Sequence, residues 1–558
     1  MRGIDWAVLI ASLVAIIGYG LYRSRGSKTV ASYLLAGRTM RWWVIGLSIM
    51  ATQASAITFI GTTGQGYVDG LRFVQFYFGL PVAMVIISAI AVPLYFRSGV
   101  YTAYEYLESR FDAKTRTLAS LIFLIQRGLG VGLALYAPAV VLSVIMGWPE
   151  PLTITTMGGL VVAYTVIGGI KAVMWTDAQQ MMVMFAGILA AFLAAVWGLP
   201  SDVSFLDAIH LAGISGKMRA VDLSFDWQNR YNLWSGLIGG SFLALSYFGT
   251  DQSQVQRYLT GKSIRHMRIS LLFNAVVKVP LQFMILLTGA LVFAFFVFVE
   301  PPMLFNTVER TRMEGRLDPT YEAVQTRYHA AWSTRSEAAQ KLSHERDAGS
   351  ENSFVAANAE LGAIRQEAIA LVEQSNHGAT YNDTNYIFLN FVISHLPAGL
   401  VGLIMAAVFA AAMSSISAEL NSLATVTVID HYRRYLALGR TDMHYARAAR
   451  ISTAFWGVYA TVFASFGGQL GSLIEAVNMV GSLFYGSILG AFVLAFSRWR
   501  VSGNGAFAGM LAGLVAVALT ARLTDVSYLW YNLVGCLMTV AVGLIIGRGG
   551  AKAAPAAS

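Results

Sequence analysis

Charge is what this sequence has least of. Only 12% of its 558 residues are charged, while 56% are hydrophobic, and soluble domains carry about a quarter of charged residues. The mean hydropathy is +0.59. These values exclude an ordinary soluble globular protein. They also exclude a disordered chain, because disorder requires low hydrophobicity together with high charge.

Cysteine and catalytic motifs are also scarce. Cys536 is the only cysteine, which excludes a disulfide scaffold. The chain has no serine-hydrolase elbow, no His-Glu-x-x-His zinc motif, no Walker A phosphate loop and no haem-type histidine pair on facing spans. We therefore do not expect an enzyme.

The net charge of +9 is typical of a nucleic-acid-binding protein only when the basic residues form a patch or stripe. Here the basic residues fall in the short breaks between apolar runs. The charge therefore indicates membrane topology, and no nucleic-acid partner is expected.

Apolar runs of about 20 residues, long enough to cross the ~30 Å hydrocarbon core as helices, recur along the chain. Two runs contain one charge each, Arg127 and Lys278. The run 385–418 is too long for one crossing, and we interpret its start as re-entrant or interfacial. The sequence predicts an all-α polytopic membrane protein with 13 transmembrane helices, at 6–22, 42–68, 73–96, 117–149, 151–170, 178–201, 231–250, 269–299, 399–429, 451–474, 476–498, 501–520 and 526–547.

Lysine and arginine in short loops set the orientation of such a protein. With the N-terminus outside, 23 of the 39 basic residues fall in predicted cytoplasmic loops and 6 in the short outer segments. Arg23 and Arg25 follow the first run, which has no small-residue cleavage site, so this run is an anchor and not a signal peptide. We predict a cell-membrane protein with its N-terminus outside and its C-terminus in the cytoplasm.

Residues 300–385 are the one break in composition. They carry 8 basic and 13 acidic residues, with alanine-rich helical stretches near 323–346 and 356–374 separated by a turn at 348–350. We predict an extracytoplasmic helical hairpin. It is either a solvated lid or scaffold, or a dedicated partner-binding module.

Two predicted spans are rich in small and hydroxyl residues at their centres. In the second span, residues 51–61 read ATQASAITFIG, which permits close helix packing or a discontinuous helix whose freed carbonyls coordinate a cation. In the ninth span, Ser414 and Ser415 either bond back to their own helix or complete an all-oxygen cage of low charge. Such a cage suits a monovalent hard cation better than calcium, which prefers more carboxylates.

Charges at membrane depth are candidates for function because their burial is costly. Arg127 and Lys278 are the clear cases, and Asp177 lies at the end of a span. Arg127 and Lys278 are either ion-pair partners of Asp177, Glu419 or Glu475, or direct contacts of a substrate. Glu419, one turn beyond the paired serines, either couples to a proton or cation or faces the cytoplasmic vestibule.

Several short motifs, in order along the chain, resemble the sodium/solute symporters, the family that includes sodium–glucose, sodium–proline, iodide, multivitamin and monocarboxylate cotransporters. The resemblance covers nearly everything except residues 300–385. The motifs are SYLLAGR at 32–38, ASA at 54–56 with FIG at 59–61 and GY at 66–67, YEYLESRF at 104–111, GGIKAV at 168–173 with WTD at 175–177, DQ at 251–252 with QR at 256–257, and SS at 414–415 with NS at 421–422.

The resemblance implies a LeuT-like core of two inverted five-helix repeats, spans 2–6 and 7–11, flanked by spans 1, 12 and 13, with alternating access to a midplane site. The chain then divides into the first helix with its cytoplasmic loop, the first repeat with the start of the second, the polar insertion, the rest of the second repeat, and two peripheral helices with a short tail. These parts are 1–41, 42–299, 300–385, 386–500 and 501–558.

The resemblance also implies the ion site. The main sodium site of the family falls on the carbonyls of Ala51, Ala54 and Ala411 and on the hydroxyls of Ser414 and Ser415. Sodium is then the coupling ion. A family acid near a sodium exit or second sodium position falls, by the same resemblance, on Asp177.

Substrate residues follow from the same resemblance. Tyr247 matches the aromatic residue that gates the inner side of the substrate site, and Lys278 matches a lysine near that site in sugar carriers. At the positions where sugar carriers make polar contacts with their substrate, this chain lacks the glutamate and asparagine that bind sugar hydroxyls. A sugar is therefore disfavoured as the solute. Residues 102–108 and 135–139 are closest to the iodide, multivitamin and monocarboxylate branch. The candidate substrate-binding residues are Thr58, Gln75, Phe76, Tyr77, Ala244, Tyr247, Phe248, Lys278 and Asn478, of which Gln75 and Asn478 supply neutral hydrogen bonds.

We therefore expect a secondary active transporter that couples inward sodium flow to the uptake of a small solute, first of all a small organic anion such as a monocarboxylate or vitamin. Its partners are the sodium ion, the solute and the lipid bilayer. The alternatives within the fold are proton coupling through Glu419 and transport of a sugar or amino acid. Alternatives of another class are a membrane sensor and a passive channel.

Overall fold

The computed structural model describes residues 1–25, 29–315, 319–466 and 473–547. Within these ranges the chain folds into helices and loops, which confirms the predicted all-α class. Arg548, Lys552 and the rest of the predicted cytoplasmic tail, together with Lys28, lie outside the described residues.

The first part of the chain alternates long apolar helices with short ones that lie between them. Its helices are α1 Gly3–Ser24, α2 Val30–Leu35, α3 Trp42–Gln53, α4 Ala56–Asp69, α5 Leu80–Ala89, α6 Ala91–Ser98, α7 Ala103–Arg110, α8 Ala113–Met146, α9 Glu150–Trp197, α10 Phe205–Ile214, α11 Gly240–Thr250, α12 Gln252–Leu259 and α13 Ile264–Phe298.

The second part begins with the polar segment and returns to apolar helices. Its helices are α14 Thr307–Gly315, α15 Pro319–His344, α16 Ala348–Ser375, α17 Thr384–His395, α18 Leu400–Val426, α19 Asp442–Ala464, α20 Leu473–Phe496, α21 Gly503–Leu523 and α22 Tyr531–Gly547.

Nine helical stretches of the described chain are long and apolar enough to cross a membrane, so the protein is a multi-pass membrane protein. This number is smaller than the predicted 13 for three reasons. Two stretches, Thr58–Ser98 and Glu150–Trp197, each take up two predicted spans in whole or in part. The span predicted at 231–250, which contains the short α11, is not among the nine, and neither is α19, which overlaps the span predicted at 451–474. The stretches are Gly3–Ser24, Thr58–Ser98, Ala113–Val140, Glu150–Trp197, Ile264–Phe298, Leu400–Leu436, Met479–Phe496, Gly503–Leu523 and Tyr528–Gly547.

The stretch α9 holds two predicted spans. Its 48 residues would measure roughly 72 Å as one straight helix, more than twice the hydrocarbon thickness. Gly169 interrupts it with φ +59° and ψ −162°, a backbone conformation that essentially only glycine adopts. A Cβ there would lie 2.7 Å from the ring and from the carbonyl oxygen of Tyr33. The GG pair at 168–169 therefore marks the junction of two helices.

The second predicted span is broken, as one of the two interpretations of its sequence required. Helix α3 ends at Gln53 and α4 begins at Ala56. The Ser55 hydroxyl caps the start of α4 by accepting a hydrogen bond from the Thr58 amide at 3.3 Å. Because the helix is interrupted at 54–55, carbonyls of the last turn of α3 lack the amide donors that a continuous helix would provide.

Helix α18 lies at the centre of the bundle. Its residues from Val401 to Val426 are buried, with the exception of Leu403, and it packs against α1, α3, α4, α8, α9, α12 and α19. It begins after Gly399, which has φ +91°, so the predicted division of 385–418 into a short α17 and a long crossing helix matches the structure.

The polar segment forms the predicted pair of helices, α15 and α16, but the turn between them is not at 348–350, because these residues begin α16. They bury Tyr321, Tyr328, Leu361 and Ile364 against one another. The pair rests on the end of α13, where Arg335 donates a hydrogen bond to the Phe296 carbonyl at 2.6 Å. The segment is therefore attached to the apolar bundle at the C-terminal end of α13.

Candidate ion and solute site

Two serines of α18 face the break between α3 and α4. The Ser414 hydroxyl donates to the Ala51 carbonyl at 2.9 Å and to the Ala411 carbonyl at 3.0 Å. The Ser415 hydroxyl donates to the Thr52 carbonyl at 3.0 Å and contacts the Ala411 carbonyl at 3.3 Å. The serines therefore bond within their own helix, as one interpretation of the sequence expected, and also to carbonyls of the broken helix.

The oxygen atoms at this crossing belong to neutral groups in a dry environment. Ala51, Ala411 and Ser414 are fully buried, and Ala54, in the break itself, is 2% exposed. In the described part of the chain, no group of three or more histidine, cysteine, aspartate or glutamate side chains is placed to hold a metal. Carbonyl and hydroxyl oxygens without a carboxylate suit a hard cation of single charge.

A cavity of 150 Å³ lies beside this crossing. Thr52 and Ser415 belong to its lining as well as to the crossing, so the two features touch. Six of the nine predicted substrate residues line the cavity. They are Thr58, Phe76, Tyr77, Ala244, Tyr247 and Phe248.

Three predicted substrate residues are not part of this lining. The Gln75 amide is occupied elsewhere, because it donates to the Tyr231 carbonyl at 2.9 Å and accepts from the Asp222 amide at 2.9 Å. Lys278 is fully buried, and its ammonium group has no hydrogen-bond partner among the described residues. It lies 5.4 Å from the ring centre of Tyr77. The side chain of Asn478 lies outside the described residues.

A charged network, of which the sequence suggested only the pair of Arg127 with Glu419, closes one side of the cavity. Arg127 donates to Glu419 at 2.8 Å and is also bonded to Asp251. The Tyr485 hydroxyl donates to the same Asp251 carboxylate at 3.1 Å. Arg127, Glu419 and Tyr485 line the cavity. Arg127 and Glu419 were recognisable as charges at membrane depth, whereas nothing in the local sequence pointed to Tyr485.

Asp177 pairs with a residue other than the two predicted. One of its carboxylate oxygens accepts from the Ser48 hydroxyl at 2.6 Å and from Arg257 at 3.1 Å. Its other oxygen has no partner among the described residues. Neither Arg127 nor Lys278 is its partner. Of the pairings that the sequence left open, the structure contains that of Arg127 with Glu419, and the side chain of Glu475 lies outside the described residues. Ser48 is one turn before Ala51 on α3. Asp177 therefore lies next to α3, the helix that ends at the break.

Comparisons with known proteins agree with this geometry. The model of the "Sodium:solute symporter family" matches residues 33–313 and 359–513. The sodium-coupled monocarboxylate transporter 2 of Mus musculus is 24% identical and covers 97% of this chain and 83% of its own. The sodium-dependent multivitamin transporter of Oryctolagus cuniculus is 27% identical and covers 92% of this chain and 69% of its own. Among solved structures, a Na⁺-coupled sialic acid symporter in a substrate-bound outward-open state superposes with a TM-score of 0.78 at 23% identity, covering 99% of each chain.

Proposed function

The chain belongs to the sodium:solute symporter family, and from that premise we propose that it uses inward sodium flow to take up a small organic anion by alternating access. Family membership makes it a sodium-coupled solute symporter in the membrane, a transporter and not an enzyme. The class of solute, the binding residues and the orientation of the chain are our inferences.

Sodium binds, in this proposal, at the crossing of the broken helix with α18. Its ligands are the carbonyls of Ala51, Ala54 and Ala411 and the hydroxyls of Ser414 and Ser415. The supporting observation is that both hydroxyls already reach carbonyls of the broken helix across the helix interface. A bound ion would replace these cross-helix hydrogen bonds, so it would tie α3 and α4 to α18 more firmly than the hydroxyls do alone.

Asp177 provides a second cation position or an exit. It is fully buried, and one carboxylate oxygen is left without a partner among the described residues. Arg257 offsets its charge, so a cation at Asp177 would have to compete with this arginine. A transient position along the path of the ion fits this competition better than a permanent site.

The finer architecture is also part of the proposal. It consists of two inverted five-helix repeats, spans 2–6 and 7–11 of 13, so that the break at 54–55 lies in the first helix of the first repeat. The solved sialic acid symporter supports the overall fold over 99% of this chain. The excess of basic residues in alternate loops places the N-terminus outside and the C-terminus in the cytoplasm.

The cavity favours a small solute. At 150 Å³ it is comparable to protein cavities that accept a molecule of benzene size. A short monocarboxylate fits this volume, whereas a vitamin requires the cavity to widen. Aromatic side chains of Phe76, Tyr77, Tyr247 and Phe248 provide walls for an apolar tail, and Arg127 is the basic group that can receive a carboxylate.

Electrostatics explain why an anion would need sodium. Arg127 is shared by two carboxylates, Glu419 and Asp251, so the network is negative when all three groups are charged. A sodium ion beside Thr52 and Ser415 adds a positive charge at the cavity wall, which is worth a few kcal/mol over such short distances at an effective dielectric constant near 20. Sodium and the anion would then raise each other's affinity by equal factors.

Proton coupling is the second candidate, and one observation favours it. Glu419 lines the cavity and is bonded to Arg127, so its protonation would free the arginine for a carboxylate. Uptake of radiolabelled lactate or butyrate into proteoliposomes distinguishes the two. Accumulation that follows a sodium gradient at equal pH supports our proposal, and accumulation driven by a pH gradient without sodium contradicts it. Glucose and proline serve as comparison solutes, and conductance without accumulation would indicate a channel.

A further inference from the structure

A second cavity lies outside the apolar bundle, where the polar segment meets α17. Its volume is 540 Å³, within the usual range for small-molecule sites. It shares no lining residue with the cavity described above. Four side chains of its lining come from residues 314–358, which the family model leaves unmatched. They are Glu314, Tyr321, Gln325 and Tyr328.

The lining carries both signs of charge. Arg310 and Glu314 are one turn apart on α14, and both act on the hydroxyl of Tyr321. Burial and the charge of Glu314 raise the pKa of Tyr321 and Arg310 lowers it, so that the pKa lies at about 12. Glu300 adds a second carboxylate to the lining, and one of its oxygens pairs with the His329 ring at 2.8 Å.

Aromatic rings and neutral polar groups complete the lining. Tyr321 and Tyr328 are 1% and 3% exposed, so their rings form fixed walls. Tyr386 and Asn390 contribute from α17. Faces of tyrosine rings attract ammonium groups, and an arginine beside them can hold a carboxylate with two parallel hydrogen bonds. A simple anion would leave Glu314 without a counter-charge, and a simple cation would leave Arg310 without one.

We propose that this cavity is a second solute site, which binds a small zwitterion of the amino acid or betaine type. The ammonium group lies between Glu314 and the tyrosine rings, and the carboxylate lies on Arg310. The site belongs to this chain and not to the family in general, because Glu314 and the two tyrosines that hold the ammonium group come from a segment that the family model leaves unmatched.

The position of the site also connects it to the transport core. Helix α17 packs on α4 so closely that a Cβ at Gly64 would lie 2.1 Å from the Thr384 carbonyl oxygen. The rings of Phe59 and Phe388 meet edge to face with centres 5.8 Å apart. A zwitterion bound to α17 therefore contacts the helix that supports α4, while it occupies none of the transport residues.

Equilibrium binding of radiolabelled glycine betaine to the purified full-length protein, without sodium, tests the proposal. Choline has the ammonium group alone and acetate the carboxylate alone, so both serve as competitors, and L-proline and L-glutamine serve as further probes. We expect saturable betaine binding that Arg310→Gln weakens at least tenfold, because a charge-assisted hydrogen bond is lost. Competition by choline should change less than threefold in this variant. Glu314→Gln should weaken betaine and choline alike.

Glu360→Gln is the matched control, because Glu360 is exposed on α16 of the same segment and does not line the cavity. It should leave binding unchanged. The proposal is overturned if none of the three zwitterions binds saturably, or if binding is the same in wild type, Arg310→Gln and Glu314→Gln. Sodium-dependent thermal stabilisation, measured on the same samples, depends on other residues. Its loss in wild type would count against the proposed sodium site and not against this one.

Discussion

Replacing Ser414 by alanine is the sharpest test of the sodium site. The substitution removes one hydroxyl that is fully buried and bonded to the Ala51 carbonyl at 2.9 Å and to the Ala411 carbonyl at 3.0 Å. The volume changes little, so the bundle should still fold. Loss of a buried polar contact amounts to about 1–3 kcal/mol. We therefore expect the sodium concentration for half-maximal uptake to rise about ten- to a hundredfold.

Ser415→Ala should have a mixed effect. Its hydroxyl bonds to the Thr52 carbonyl, and the residue also lines the solute cavity, whereas Ser414 does not line it. Sodium dependence should shift by a similar factor in both variants. The apparent solute affinity at saturating sodium should stay near wild type in Ser414→Ala and fall somewhat in Ser415→Ala.

The assay is a sodium titration of uptake in proteoliposomes, together with sodium-dependent thermal stabilisation of the purified protein. Ser422→Ala provides the control, since Ser422 is a fully buried serine of the same helix whose hydroxyl bonds to the Glu419 carbonyl at 2.8 Å. This variant loses an equivalent group without touching the broken helix. If Ser414→Ala keeps the sodium dependence of wild type, or if Ser422→Ala shifts it equally, the ion does not bind at this crossing.

Three further substitutions test other parts of the structure. Lys278→Met should raise the apparent melting temperature in a thermal-shift assay, because it removes a buried ammonium group without a hydrogen-bond partner among the described residues. A lower melting temperature than that of wild type would reveal a partner or a bound anion. Gly169→Ala should reduce the yield of folded protein in size-exclusion chromatography far more than Gly159→Ala, because Gly169 has φ +59° and a Cβ there would lie 2.7 Å from Tyr33, whereas Gly159 has open space around it. Replacement of residues 320–376 by a Gly/Ser linker should keep sodium-dependent stabilisation, since the sodium ligands lie outside this segment; its loss in a folded, membrane-inserted variant would mean that the segment supports the ion site.

Local patterns were enough to predict the all-α class, and they left a break in the second span as one of two alternatives. The hydroxyl-rich centres of two spans indicated α3, α4 and α18 because backbone breaks require small residues, and this property is visible in a short window of sequence. The family resemblance added the individual carbonyls. The number of membrane crossings was less secure, because hydropathy does not tell one kinked stretch such as α9 from two separate helices.

Pairings between distant helices could not be predicted in the same way. The sequence left Asp177, Glu419 and Glu475 open as partners of Arg127 or Lys278. Arg127 pairs with Glu419, whereas Asp177 pairs with Arg257, and no periodic pattern encodes the distance between residues 80 positions apart in the chain. Gln75 shows the same limit. It was a candidate to supply a neutral hydrogen bond to the solute, whereas its amide bonds to the backbone of Tyr231 and Asp222.

The contact between the first helix and α18 has a consequence for the order of biogenesis. The Asp5 carboxylate accepts hydrogen bonds from the Gly399 amide at 2.6 Å and from the Gly402 amide at 3.1 Å. Those amides leave the ribosome almost 400 residues after Asp5, which at typical elongation rates of about 5–20 residues per second is a delay of roughly 20–80 s. During that delay the carboxylate has to remain hydrated at the membrane surface. The first helix therefore completes its final contacts only after the ninth predicted span has been inserted.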